Sequence, residues 1–172
     1  FKVDMATLGN SSDFGDQTVS RQTHGTCSNS VRMVFGGGGT PTKISSIEAL
    51  LLATEGNSVL FGDLGAAKSS LGACCDATRA VFGGGIFHPE THTNNLEYIN
   101  IATGGDTVDF GDLSVTKYYC QGVSSSTRGV VAGGYQESPG FTSSNLIEFI
   151  TIASTGDATD FGDLITAARM PG

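Results

Sequence analysis

The chain has 172 residues, long enough for one domain with a real core and too short for two large ones. Charged residues are only 15% of it, which argues against a solvated helix or a charged disordered tail, and a net charge of −8 disfavours sequence-independent binding to nucleic acid. Its 25 glycines and lack of Trp point to strands and turns, and no apolar run approaches the roughly 20 residues of a membrane-spanning helix. The chain starts at Phe1 without a basic-then-apolar leader, which reads as a fragment or a processed product.

In chain order, residues 1–17 end in Phe14-Gly15-Asp16, and this tripeptide returns at Phe61, Phe110 and Phe161, in steps of 47, 49 and 51 residues. Between returns the order is constant. An Arg follows the Asp by 16 residues (Arg32, Arg79, Arg128), in a predicted strand that runs into glycines: Val31–Phe35, Arg79–Phe82, Arg128–Val131. A second, alternating strand carries Glu48, Glu97 or Glu148: Ile47–Leu52, Leu96–Ile101, Ile147–Ile152. A short turn such as Thr155-Gly156-Asp157 leads to a third strand through Phe-Gly-Asp-Leu. A fourth, weaker strand crosses the Cys and Ser region, as at Leu71–Cys75.

All length variation falls between the glycines and the Glu: 13, 15 and 17 residues from Phe35, Phe82 and Val131. Steps of two suit a β-hairpin, because one residue added to each arm keeps every side chain on its face. Four short antiparallel strands per unit of about 48 residues is the arithmetic of a propeller blade. The predicted fold is all-β: a half blade (1–17), three blades (18–63, 64–112, 113–163) and the start of another unit (164–172), all one propeller domain and a segment of a longer chain. A β-trefoil or β-prism uses units of similar length but needs no glycine run at this register.

The glycine doublet, the Glu-bearing strand with Tyr98 or Phe149, and the aromatic before the next basic residue resemble the Kelch repeat. Phe14, Phe61, Phe110 and Phe161 stand where that family has Trp, so the likeness is to a Kelch-like variant. The stretch from Thr127 to Leu164 is similar to a repeat of predicted virion proteins of tailed phages, notably those infecting marine cyanobacteria. That resemblance implies a non-enzymatic structural or host-recognition role (tail fibre, appendage or capsid decoration) in a virion assembled in the host cytoplasm, and it brings no catalytic residues. A cellular protein-interaction or glycan-binding module of Kelch type is the alternative.

The recurring charges Arg32, Arg79, Arg128, with Arg21, Lys68 and Lys117, and the acids Glu48, Glu97 and Glu148 are expected to pair within or between blades. The runs at Gly36–Gly39, Gly83–Gly85 and Gly133-Gly134 are followed by no Gly-Lys-Ser/Thr, so close backbone packing explains them better than a nucleotide loop. Asp106, Asp109, Asp112 and Asp157, Asp160, Asp163 lack the alternating oxygens of a calcium loop and read as turn and strand-end residues. Cys27 and Cys74 share one register and are not expected to face each other, while Cys74 and Cys75 should point to opposite sheet faces. There is no Cys-x-x-Cys, no nucleophile elbow and no paired acid and base, so we expect no metal, no cofactor and no catalytic residue.

Recognition is then expected in the variable loops, residues 38–46, 86–95 and 135–145. The candidate partner-binding residues are Phe87, His88, His92, Tyr135 and Phe141. Expected partners are other virion proteins, a host receptor or glycan, or further copies of the chain, without membrane insertion. Phe61, Phe110 and Phe161 are expected to be buried between neighbouring sheets.

Overall fold

A computed structural model describes residues 1–39, 41–137 and 140–169. Thr40, Ser138 and Pro139 of the variable loops, and residues 170–172 of the last predicted unit, lie outside the described residues. Among the described residues there is no helix, and the strands form five small antiparallel sheets, none of which closes on itself.

Three four-stranded meanders carry the repeat. The first comprises β1 (Gly25–Ser28), β2 (Arg32–Gly36), β3 (Ser46–Leu51) and β4 (Val59–Asp63). After the short β5 (Lys68–Ser69), the second comprises β6 (Gly72–Cys75), β7 (Arg79–Gly83), β10 (Asn95–Asn100) and β11 (Val108–Asp112). After β12 (Lys117–Tyr118), the third comprises β13 (Gln121–Ser124), β14 (Arg128–Ala132), β17 (Leu146–Thr151) and β18 (Thr159–Asp163). Two further hairpins, β8 (Ile86–Phe87) with β9 (Thr91–His92) and β15 (Tyr135–Gln136) with β16 (Thr142–Ser143), are the adjustable loops of the second and third units. Each takes β5 or β12 as a third strand, so Lys68 and Lys117, the basic residues after Phe-Gly-Asp, lie on short strands that the four-strand plan does not include.

The turn between the first two strands of each unit is made by a polar side chain acting as a backbone mimic. Asn29 Oδ1 accepts the amides of Val31 and Arg32, Asp76 Oδ1 those of Thr78 and Arg79, and Ser125 Oγ those of Thr127 and Arg128. The outer strand of each unit has a bulge at one register. Ile47 pairs with Gly62 but Glu48 with Leu60, leaving Phe61 as the extra residue; Phe110 and Phe161 are the extra residues of the other two sheets.

The sheets stack face to face, with a separate core at each interface. Val34, Ile47 and Ala49 meet Ala73, Cys75, Ala80, Phe82, Ile99 and Ile101 between the first and second sheets. Cys74, Val81, Leu96 and Phe110 meet Val131, Ile150 and Ile152 between the second and third. The middle sheet is thus buried on both faces, and Cys74 and Cys75 go to opposite cores.

Backbone bonds lock each unit to the next at both edges. At the outer edge the carbonyls of Phe14, Phe61 and Phe110 accept the amides of Gly56, Gly105 and Gly156 at 2.7–2.8 Å. The amides of Asp16, Asp63 and Asp112 donate to Asn57, Asp106 and Asp157 Oδ1 at 2.9, 3.2 and 3.0 Å. Asp106 and Asp157 thus serve as turn acceptors. At the inner edge the glycine doublet explains itself. Gly37, Gly84 and Gly133 have φ of 61–65°, and a Cβ on Gly84 would lie 2.5 Å from the Lys117 carbonyl. The second glycine of each doublet, Gly38, Gly85 or Gly134, donates to the carbonyl of Lys68, Lys117 or Ala168 at 2.9 Å.

Two expectations need correction. Phe110 is buried and Phe61 half-buried, but Phe161 is exposed, because no described sheet lies against the outer face of the third unit. The two basic series also divide their roles. Arg32, Arg79 and Arg128 do not pair with the repeated Glu; each guanidinium covers a ring, Phe61 at 5.6 Å, Tyr98 at 4.5 Å and Phe149 at 4.6 Å. Arg32 and Arg79 also donate across the interface to the carbonyls of Ile101, Ala102 and Ile152.

Candidate functional site

Below the loops, each unit holds a buried ion pair. Arg21 pairs with Glu48, Lys68 with Glu97 and Lys117 with Glu148. The cation follows Phe-Gly-Asp by five residues, and the Glu sits opposite the bulge. Each Glu also accepts the amide two residues past the Asp: Thr18, Gly65 or Ser114. In the first two units a hydroxyl of the next turn, Ser58 or Thr107, donates to the same carboxylate. The third unit has Ala158 at that register, and among the described residues Glu148 Oε2 meets only the Lys117 ammonium. Glu97 is pulled in two directions: burial raises its pKa, while the Lys68 charge, the Gly65 amide and the Thr107 hydroxyl lower it more, and the net direction is down. These pairs are enclosed by protein and hold the loop hairpins onto the sheets.

The loops crown this layer. Lys43 of the first loop donates Nζ to the carbonyls of Phe87 and Pro89 and to Glu90 Oε1 at 3.0, 3.3 and 2.8 Å, tying it to the second. The second and third loops meet through aromatic rings. His92 stacks on Tyr118 with centroids 4.5 Å apart and planes 9° from parallel. Phe141 meets His92 edge-on at 5.7 Å, and Tyr135 lies 5.5 Å from Tyr118 and 6.3 Å from Phe141. Arg169 covers Tyr135 at 5.8 Å, and Glu137 Oε2 stands 3.5 Å from His92 Nδ1. Burial, with Tyr135 and Tyr119 nearby, holds the Tyr118 phenol above its usual pKa.

Of the five candidate residues, His92, Tyr135 and Phe141 therefore come together. Phe87 and His88 do not join them: Phe87 lies half-buried over Lys68 Nζ at 5.8 Å, and His88 is exposed. Sequence reasoning missed Tyr118, Tyr119 and Arg169, which lie outside the length-variable interval. Their signal was register, since Tyr118 and Tyr119 follow Lys117 at the positions of Ser69 and Ser70. A groove of about 240 Å³ beside this cluster is lined by Thr23, Thr42, Lys43, Ser70, Glu90 and Tyr119 among others. Thr23, Ser70 and Tyr119 hold positive φ at one repeat register, and their backbones are chained: the Ser70 amide donates to Thr23 and that of Tyr119 to Ser70.

Among the described residues no three His, Cys, Asp or Glu side chains converge to hold a metal ion. All four cysteines are free thiols. Cys27 lies beside Cys75 of the next sheet, and Cys74, enclosed by apolar surroundings and beside Cys75 and Asp76, has its pKa pushed up to about 12. Comparison with known proteins adds no family: no family model matches the chain, and no curated protein matches it.

Proposed function

We propose that this chain is a non-enzymatic virion component whose variable loops recognise a surface glycan or a protein partner. Its four-stranded units are read as blades of a Kelch-like propeller segment. Three features support the propeller reading: the meander order of each unit, its repetition at one register, and the packing of the innermost strands β1, β6 and β13 along one another. The observation that carries the functional reading is the aromatic cluster of His92, Tyr118, Tyr135 and Phe141, built by two neighbouring units at the one edge where length varies.

Aromatic faces flanked by Arg169, Glu137 and a polar groove suit a sugar, whose apolar ring face and hydroxyl rim need both. The scaffold beneath is fixed by backbone bonds and buried ion pairs, so the loops can vary without disturbing the sheets. The test is binding of fluorescently labelled protein to cyanobacterial cells, with lipopolysaccharide from those cells as soluble competitor. Tyr135→Ser with Phe141→Ser is expected to weaken attachment at least tenfold while the melting temperature moves by only a few degrees. Undiminished attachment by that variant contradicts the assignment.

A further inference from the structure

The interface between the first and second sheets brings two thiols together. Its inner strands, β1 and β6, run side by side, and a Cβ built on Gly25 would lie 3.2 Å from the Cβ of Ala73. Two residues further along each strand, on the same face, stand Cys27 and Cys75. Cys75 belongs to the core between these sheets, Cys27 packs against that core, and the two thiols share a hydrogen bond. Bridged cysteines have Cβ atoms about 3.5–4.5 Å apart, so strands this close need little movement to accept the bond.

The other two cysteines stand apart from this pair. Cys74 turns into the opposite core, and Cys120 Sγ lies 3.9 Å from the Gly83 carbonyl. At the second interface the registers of Cys27 and Cys75 are held by Cys74 and Ser124, and Ser124 Oγ accepts the Cys75 amide at 3.1 Å. Among the described residues, the first interface therefore has a thiol on both sides at this register and the second does not. The paired thiols also differ in chemistry. The Cys27 thiol donates to the Cys75 sulfur and lowers its pKa; burial and Asp76 oppose this, the Ser28 amide supports it, and the net direction is down. The same hydrogen bond, with burial, raises the pKa of Cys27. Cys75 is thus the thiol more readily ionised, and the thiolate is the nucleophile.

We propose that Cys27 and Cys75 are an oxidation site, joined by a hydroperoxide into a disulfide that staples the first unit to the second. The Cys75 thiolate attacks one peroxide oxygen, the O–O bond breaks, and Cys75 becomes a sulfenic acid as hydroxide leaves with the electron pair. Cys27 Sγ then attacks Cys75 Sγ; the S–S bond forms, the S–O bond breaks, and the hydroxyl departs as water with the Cys27 proton. The proton first lost by Cys75 neutralises the hydroxide, so two thiols and one hydrogen peroxide give one disulfide and two waters. The staple closes a loop between residues 48 apart in sequence and does not depend on what the loops bind.

The test treats dilute, reduced full-length chain with hydrogen peroxide, alkylates the remaining thiols in denaturant, and reads the tryptic peptides by mass spectrometry. The expected product joins residues 22–32 to residues 69–79 with the loss of two hydrogens, Cys74 and Cys120 being alkylated. Cys74→Ala should form the same link, and Cys27→Ser and Cys75→Ser should not. The oxidised wild-type chain should melt about 5–15 °C above the reduced one, and dithiothreitol should reverse the rise. Cys27→Ser should show no such rise. A link through Cys74, peroxide treatment that leaves Cys27 and Cys75 unlinked, or a linked chain that melts no higher than the reduced one overturns the proposal.

Discussion

Replacing Lys117 with Met keeps the length of the side chain and removes its charge, leaving Glu148 without the cation it pairs with. Glu148 is fully buried, its Oε1 accepts one amide from Ser114, and among the described residues its Oε2 has no donor other than the ammonium. Breaking a buried pair on one side costs about 3–5 kcal/mol, because the remaining charge is uncompensated. For a chain of this size that is a fall in melting temperature of about 6–20 °C. The second unit supplies the internal control. Lys68→Met leaves Glu97 with the Gly65 amide and the Thr107 hydroxyl, and hydrogen bonds to a charged group contribute about 1.5–3 kcal/mol each. The Lys68 variant should therefore lose less than the Lys117 variant, by about 1–3 kcal/mol. Adding Glu148→Leu to Lys117→Met should recover most of the loss, since an apolar pair needs no partner. Urea unfolding followed by far-ultraviolet circular dichroism gives all three numbers. A loss below about 1 kcal/mol for Lys117→Met, or equal losses at the two sites, would refute the reasoning.

Three other outcomes follow from the same geometry. Phe110→Ala should cost about 3–5 kcal/mol, and Phe161→Ala below about 1 in a monomeric sample, both read by urea unfolding. Gly84→Ala should cost about 1–3 kcal/mol, because it places a Cβ 2.5 Å from the Lys117 carbonyl at a positive φ; a neutral effect on thermal stability contradicts the inter-unit role given to the doublet. Because the folded-state pKa of Glu97 lies below its ordinary 4.5, its contribution is present above that value and is lost as pH falls through the folded pKa. Acid unfolding should accordingly begin below about pH 4.5, and Lys68→Met should move its midpoint toward neutral pH.

The strand plan was legible because Phe-Gly-Asp, the Arg, the glycines and the Glu recur at constant intervals with apolar alternation around the Glu. Asn29, Asp76 and Ser125 differ in type but all can mimic the backbone, and the strand limits fell within a residue or two of the expected ones. The partners of the charges were less legible. Arg32 and Arg21 share the same spacing to the next unit's equivalents, so periodicity cannot say which cation meets Glu48; the structure puts Glu48 at the register shift of the outer strand and pairs it with Arg21. Phe161 shows a related limit, since a repeat describes what a register does between neighbouring sheets, and among the described residues no sheet lies against Phe161. Within the loops, His92, Tyr135 and Phe141 were legible as aromatic or imidazole side chains in a variable interval. Tyr118 was not, because it belongs to β12, whose two residues are too few for a strand signal of their own.

The central claim is that recognition belongs to the edge bearing the variable loops. The direct test is paired attachment to cyanobacterial cells by two variants: Tyr135→Ser with Phe141→Ser at the loop edge, and Val31→Ser with Ser126→Glu at the opposite turns. The account predicts at least a tenfold loss for the first and wild-type attachment for the second. Loss confined to the second variant would contradict it.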